Sequence, residues 1–233
     1  YEAHVGDLSS LFGNVLGEVL FVVGGSGNIS GASLRVLEQL RGCKINLLYI
    51  EPDHSILSGT RKLQERTTYY IFQEYARSGL FERIYLVSNP QLESVLGDVP
   101  IIGYNDRLNQ LIVSSFHMIN IYNNNKPVIE SSAEPREHTR ISTIGVSNLD
   151  NEKSMFFPLD NIKEVKYYYA INREKLETDG TLMRRITENV KKEQGIDVSY
   201  GVYATEYADD YVYFVANSSM IQYRESEKKS LQI

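Results

Sequence analysis

The sequence predicts an α/β protein, with an open, mostly parallel sheet and a glycine-rich phosphate loop, followed by a smaller α+β domain. Three short apolar runs, at 19–25, 44–52 and 83–90, are each followed further on by a segment with helical spacing of its apolar residues. Strands that are apolar throughout are typical of parallel strands covered on both faces. Successive β–α units of this kind favour a parallel sheet.

The helices of this first part are predicted from apolar spacing and from stop signals. They are expected at 8–18, 32–42, 61–78 and 105–122. In the second of them, Leu34, Leu37 and Leu40 share one face, and Gly42 is a typical carboxy-terminal stop. The fourth ends in the polar stretch NNNKP. We therefore assign residues 1–122 to a nucleotide-binding domain.

The composition changes after this domain. Residues 123–160 are polar, contain Pro and Ser, show no sustained period, and are predicted to be a linker. A small α+β domain is predicted over 161–222, with strands rich in tyrosine, which on strands mostly serves core and cross-strand packing. Its strands are expected at 164–172, 198–207 and 210–219, and its helix at 181–195. Residues 223–233 are predicted to be a solvated tail or a fraying helix.

Charge and cysteine content exclude several classes of function. Lys and Arg number 24 and Asp and Glu 30, so the net charge of -6 gives no drive toward nucleic acid or anionic lipid. The single cysteine, Cys43, excludes an intrachain disulfide and a multi-cysteine metal site, as expected in a reducing compartment. No apolar run approaches the length of a membrane span, so we expect a cytoplasmic protein. His4, His54 and His117 are scattered and predict no metal site.

The loop between the first strand and its helix is the most informative local feature. It reads GGSGNISG and comprises Gly24, Gly25, Ser26, Gly27, Asn28, Ile29, Ser30 and Gly31. Glycines let backbone N–H groups turn toward an anion, and the following helix start adds partial positive charge. The loop matches neither the Walker A pattern nor G-x-G-x-x-G. A tight structural turn is the alternative interpretation.

This loop and its context resemble the tubulin/FtsZ family of GTP-dependent filament proteins. The family signature is GGGTGTG, in which Gly25, Gly27 and Gly31 match and Ser30 replaces a threonine. The departures are Ser26, Asn28 and Ile29. Ile29 is the most serious of them, because a β-branched residue does not adopt a positive φ cheaply.

The turn after the second strand carries the next similarity. The family's KPF-x-FEG-x-x-R looks like EPDHSILSGTRK here, with Pro52 and Gly59 retained. Ser58 stands where the family has a ribose-binding glutamate. The resemblance implies that Arg61 or Lys62 supplies positive charge near the nucleotide.

Two motifs follow the third strand. The family's IPND looks like VSNP, which makes Asn89 a candidate contact to the base or sugar. The family's ND-x-L opening of the central helix is present as Asn105, Asp106 and Leu108. The resemblance implies that Asp106 accepts hydrogen bonds from two adjacent donors of guanine. On their own, Asn89 and Asp106 are also ordinary helix-start and turn residues.

An acidic loop follows the central helix. Family members that hydrolyse GTP carry N-x-D-x-x-D there, and this chain has Ser132-Ala-Glu134-Pro-Arg-Glu137. The resemblance implies that Glu134 and Glu137 orient and polarise the attacking water on a neighbouring subunit's GTP, with Mg²⁺ held through the phosphates. A solvated acidic linker is the alternative. His138 adjoins the loop and is assigned no catalytic role.

The resemblance implies a protein that binds GTP and GDP, stacks head to tail into filaments, and hydrolyses GTP between subunits. The family opens with a further strand, a first glycine loop and a β–α unit, which are not visible before Leu8. The chain is therefore expected either to begin part-way through the protein or to be a cut-down relative, and the altered motifs favour a plasmid or phage type. The tail is a candidate binding segment for a partner.

Two other functions stay open. A family member that retains the fold as an assembly or scaffold module without turnover is favoured by Ser58, Ile29 and the altered acidic loop. An unrelated α/β enzyme that binds a dinucleotide or phosphosugar is less well supported. In that case an acidic residue should end the second strand, and Glu51 lies about 20 residues past the loop but precedes a proline turn.

Overall fold

A computed structural model describes residues 8–27, 30–133, 136, 138–224 and 227. Within this part of the chain nine strands form a single sheet. They are β1 (Glu18–Gly24), β2 (Lys44–Glu51), β3 (Arg83–Ser88), β4 (Ile129–Ser131), β5 (Ile141–Ser147), β6 (Ser154–Met155), β7 (Ile162–Asn172), β8 (Asp197–Thr205) and β9 (Tyr211–Ser218). The helices are α1 (Ser9–Phe12), α2 (Ser33–Gln39), α3 (Gly59–Arg77), α4 (Asn89–Leu96), α5 (Tyr104–Asn123), α6 (Arg173–Thr178) and α7 (Leu182–Lys191).

The first half of the sheet is parallel. Strands β1, β2, β3 and β5 lie side by side in this order, and all three neighbouring pairs are parallel. Gly24 is level with Ile50, and Glu51 is level with Ser88, so the loops after β1, β2 and β3 leave the sheet at one edge. We call this edge the carboxyl edge and the opposite one the amino edge.

The second half of the sheet is mixed. Strand β9 runs antiparallel between β5 and β7, and β7 pairs with β8 in parallel. The short β4 closes the order at the outer edge of β8, and β6 pairs with β5. The predicted tyrosine stripe packs inside, because Tyr167, Tyr168 and Tyr169 are buried on β7. The predicted α/β fold class, with its parallel and smaller mixed parts, is confirmed.

Helices cover both faces of the sheet. Leu37 of α2, Phe72 of α3 and Ile186 of α7 belong to one hydrophobic core, on one face. Ile112 of α5 and Leu92 of α4 belong to a second core on the other face. None of the helices in the described part of the chain combines the length and apolar character needed to cross a bilayer.

Two predicted element boundaries in the first part of the chain were wrong: the end of the first helix and the end of β3. The helix predicted over 8–18 is limited to Ser9–Phe12, and β1 already begins at Glu18. The chain turns between them, and Gly17 has a φ of 88°, which a helix cannot contain. The strand predicted to run through 90 ends at Ser88, because Asn89 and Pro90 open α4, with proline in its favoured first turn.

The predicted linker at 123–160 is not structureless. It contains β4, β5 and β6, and β5 is a central strand of the sheet. The first five residues of β5 are all buried, so its sequence lacks the alternation of apolar and polar residues that marks a strand exposed on one face. Polar members such as Thr143 are satisfied internally, since Thr143 Oγ1 donates to the carbonyl of Leu86 at 2.9 Å. The division into domains remains a prediction.

Candidate functional site

The glycine loop leaves β1 at the carboxyl edge and is held against β2. The amide of Gly25 donates to the carbonyl of Ile50 at 2.9 Å. Ser30 opens a single 3₁₀ turn before α2, and its Oγ donates to the carbonyl of Gly27 at 2.6 Å. This hydrogen bond joins Gly27 and Ser30 directly across the second half of the loop. Asn28 and Ile29, two of its predicted ligand-binding residues, lie outside the described residues.

The four described glycines of the loop differ in what requires them. A Cβ at Gly25 would overlap the hydroxyl of Tyr49, and one at Gly31 would lie 2.7 Å from Gln64 Nε2. Among the described residues, a Cβ at Gly24 would meet nothing within 4 Å, and one at Gly27 would make only ordinary contact. Packing against the Tyr49 ring thus explains Gly25, whereas the contact at Gly31 is with the flexible end of the Gln64 side chain. In the part of the chain that the structure describes, there is open space beside Gly24, in which a ligand has room to approach the backbone.

The loop between β2 and α3 lies beside the glycine loop. Pro52 Cδ is 3.0 Å from the position of a Cβ at Gly25. Ser58 is the cap residue of α3 and is exposed, but its side chain makes no capping hydrogen bond. Arg61 and Lys62 follow in the first turn of α3 and are exposed. Both are therefore available to an anionic ligand at this edge.

The remaining predicted contacts also begin helices at the carboxyl edge. Asn89 is the first residue of α4 and is half-buried. Asp106 is exposed in the first turn of α5, which starts after Gly103, a residue with a φ of 81°. The start of α5 is near the β2–α3 loop, since the Asp53 carboxylate is among the groups that raise the pKa of Tyr104, after desolvation and Glu93. Whether these residues bind a nucleotide remains a prediction.

The acidic loop lies at the amino edge. Its two predicted catalytic residues, Glu134 and Glu137, are outside the described residues, but both flanks are placed. Before the loop, β4 pairs with β8. After it, β5 pairs with the first residues of β3, and the amide of Ile84 donates to the carbonyl of Arg140 at 2.9 Å. The described residues on both sides of the acidic loop are thus separated from the start of the glycine loop by the length of a strand, about 20 Å for seven residues.

Arg136, within the acidic loop, is anchored by carboxylates of the second half of the sheet. Its guanidinium contacts Asp197 of β8, with Nε to Oδ2 at 2.7 Å. Its amide donates to Glu164 Oε1 at 2.6 Å, and Thr139 Oγ1 donates to the other oxygen of Glu164. Asn217 of β9 also reaches Glu164, at 3.4 Å. Glu164 is almost fully buried and is satisfied here by neutral donors.

A buried ionic cluster lies beneath the glycine loop. Glu65 of α3 has 0% exposed surface and accepts a 2.7 Å hydrogen bond from the Tyr49 hydroxyl. Arg224 donates to both oxygens of Glu65, at 2.6 and 2.7 Å, and its Nε donates to Glu51 at 3.3 Å. His54 Nε2 lies 2.9 Å from Glu51 Oε1. Burial raises the pKa of Glu65, opposed by Tyr49, Arg224 and His54.

The ligand atoms of Glu51, His54 and Glu65 lie within 4.8 Å of one another, which is a possible geometry for a metal ion. In this structure the guanidinium of Arg224 already provides the positive charge between the two carboxylates. Sequence reasoning missed this cluster. One signal was available: Glu65 shares a helix face with Thr68, Tyr69, Phe72 and Ala76, so a carboxylate on that face needs a buried partner.

Arg224 belongs to the segment 223–233, for which a solvated tail or a fraying helix is predicted, but this residue itself is not solvated. Its side chain is only 14% exposed, because the guanidinium lies between Glu51, Glu65 and the ring of Tyr69. Nothing in the polar run YRESEKKS marks this residue as buried. Residues 225–226 and 228–233 are outside the described part of the chain.

Comparison with solved structures identifies the fold. A GTPγS-form protofilament of Bacillus thuringiensis serovar israelensis TubZ matches with a TM-score of 0.64 and 13% identity, covering 92% of this chain and 63% of the TubZ chain. CetZ from Methanosaeta thermophila matches with a TM-score of 0.62 and 15% identity over 92% and 63%. An empty FtsZ dimer from M. jannaschii gives 0.56 and 12% over 86% and 63%.

The chain therefore has the tubulin/FtsZ fold that the sequence motifs predict, and it spans about 63% of the length of these three structures. No protein-family model matches the sequence. No curated protein sequence matches it either.

Proposed function

We propose that this chain, which has the fold of TubZ, CetZ and FtsZ, binds GTP and GDP at the carboxyl edge of its parallel strands and assembles head to tail into filaments. The observation that carries the proposal is the open space beside Gly24 at that edge: among the described residues, packing requires a glycine neither there nor at Gly27, where a Cβ would make only an ordinary contact. A protofilament of TubZ in a GTPγS form has the same fold. Such a protein would act in the cytoplasm.

In this proposal the glycine loop, with Ser26 and Ser30, holds the phosphates, and Mg²⁺ is bound through them. Arg61 or Lys62 adds positive charge, and both are exposed at the start of α3. Asp106 accepts from guanine, and Asn89 contacts the base or sugar. All these residues belong to loops or helix starts at one edge of the sheet, as one ligand requires.

Hydrolysis is proposed to need two subunits. The acidic loop lies at the amino edge, about 20 Å of strand away from the glycine loop of the same chain. Glu134 and Glu137 would therefore act on the nucleotide of the next subunit in a head-to-tail stack, where they orient the attacking water. A contact of this type does not close and propagates into a filament.

Exposed apolar side chains support self-association at the carboxyl edge. Ile101 and Ile102 precede α5 and are 93% and 92% exposed, and Ile56 in the β2–α3 loop is 77% exposed. Exposed apolar residues close to a ligand site are typical of an interaction surface. In a head-to-tail stack they would be covered by the amino edge of the next subunit.

The test measures phosphate release from GTP, with ATP as control, over a range of protein concentrations. We expect the rate per subunit to rise with concentration, and to fall about 100-fold in Glu134→Ala and in Glu137→Ala. Glu130→Ala is the matched control, because Glu130 is exposed on β4, four residues before Glu134. Asp106→Ala should abolish the preference for GTP over ATP.

Two outcomes would change the assignment. Assembly with bound GTP but without phosphate release would favour the non-hydrolysing scaffold, which the replacement of both family aspartates by glutamate already suggests. If neither GTP nor GDP binds, the chain shares the fold without this function.

A further inference from the structure

The segment that follows β9 crosses the molecule along α3. We call residues 219–224 the strap. Its Gln222 accepts a 2.8 Å hydrogen bond from the Tyr69 hydroxyl through the backbone carbonyl, and its amide donates to Gln73 Oε1 at 2.8 Å. Strand β9 ends level with Ile141, at the amino edge, whereas Glu51 and the start of α3 are at the carboxyl edge. The strap therefore runs from one edge of the sheet toward the other.

Arg224 ends the strap in the cluster beneath the glycine loop. Its guanidinium pairs with Glu65 through two hydrogen bonds, reaches Glu51, and lies 4.4 Å from the centre of the Tyr69 ring. The two nitrogens of the planar guanidinium reach different carboxylates, since Nη2 donates to Glu65 and Nε donates to Glu51, and the single ammonium nitrogen of lysine cannot reproduce this bridge. Without Arg224, two nearly inaccessible carboxylates would face each other, with His54 beside both and the Tyr49 hydroxyl on Glu65.

The cluster is joined directly to both loops of the proposed nucleotide site. Glu65 fixes the Tyr49 hydroxyl, and Gly25 packs on that hydroxyl. Gln64, the neighbour of Glu65, packs on Gly31 at the other end of the glycine loop. Glu51 is the last residue of β2, so it determines where the β2–α3 loop begins.

We propose that Arg224 is a positioning residue of the nucleotide site: through Glu51 and Glu65 the strap holds the glycine loop and the β2–α3 loop in their relative arrangement. The inference rests on the proposed function for its effect on ligand binding. Its effect on the two loops does not depend on that function and can be measured on the chain without nucleotide.

The test compares Arg224→Ala, Arg224→Lys and Arg173→Ala in the full chain. Arg173 is the matched control, since it loses the same charge from an exposed ion pair with Glu206. Hydrogen exchange is followed in peptides covering 24–31 and 52–64 and in the rest of the sheet, and affinity is measured with a fluorescent GDP analogue. For Arg224→Ala we expect about tenfold weaker binding and about tenfold faster exchange in those two segments. Arg224→Lys should recover part of both effects.

The control variant should match the native chain in both measurements. Exchange that rises equally throughout the sheet, or binding that is unchanged in Arg224→Ala, would overturn the proposal and leave Arg224 a general stabiliser. If the native chain does not bind the GDP analogue, the proposed function fails. The exchange comparison then still decides whether the strap positions the two loops.

Discussion

The two edges of the sheet hold their loops by different means. At the carboxyl edge, Glu65 is fully buried and is paired with the charged guanidinium of Arg224. At the amino edge, Glu164 is almost fully buried and is satisfied by an amide, a hydroxyl and a side-chain amide. Glu65 of α3 and Glu164 of β7 each lie beside a loop that the proposed function needs. The buried carboxylate is therefore neutralised by an ion pair at the carboxyl edge and is satisfied by neutral hydrogen bonds at the amino edge, where the ion pair between Arg136 and Asp197 is exposed.

This difference predicts that truncating the buried side chains lowers the free energy of unfolding by different amounts at the two edges. A buried charge that loses its counter-ion retains most of its desolvation penalty, whereas neutral donors that lose an acceptor are penalised less and near the surface can turn to water. Arg136, one donor to Glu164, is exposed, but Arg224 is not. The carboxyl edge should therefore be the more sensitive of the two.

The largest effect is expected for Glu65→Ala. It leaves the Arg224 guanidinium with only Glu51 and leaves the Tyr49 hydroxyl without its acceptor, so the free energy of unfolding should fall by about 3–5 kcal/mol. Urea unfolding measures it. Glu74→Ala on the same helix removes an exposed pair with Arg77 and should cost less than about 1 kcal/mol.

A smaller effect is expected for Glu164→Ala. Its three donors are neutral, and their loss of an acceptor should lower the free energy of unfolding by about 1–3 kcal/mol, again measured with urea. Glu188→Ala, an exposed position on α7, is the control. A loss in Glu164→Ala as large as that in Glu65→Ala would break the comparison, since charge pairing would then make no difference.

The sequence predicted β1, β2 and β3 well, because these strands are continuous apolar runs bounded by glycine and proline. It missed β5, whose Ser142 and Thr143 are buried but satisfied by distant partners that no local pattern reveals. The order of the candidate loops was also predictable from their motifs. Arg224 was not, since its burial depends on contacts with Glu51 and Glu65 that lie 159 and more residues away.

The smallest predicted effect is a pH dependence that belongs to the carboxyl edge alone. Burial raises the pKa of Glu65, and Glu51 acts in the same direction, while Tyr49, Arg224 and His54 lower it. Because the folded chain then holds the proton more tightly than the unfolded chain, this contribution to stability is present below the ordinary glutamate pKa of about 4.3 and is lost as pH rises through the raised pKa.

Urea unfolding of the native chain and of Glu65→Gln between about pH 4 and pH 8 measures this contribution. The advantage of the native chain should shrink as pH rises. Glu74→Gln, which alters an exposed pair with Arg77 on the same helix, is the control. In an Arg224→Ala background the loss should move to higher pH, because a group that lowers the pKa of Glu65 is gone. An advantage that grows with pH would mean instead that the ion pair with Arg224 stabilises the ionised form of Glu65 by more than burial destabilises it.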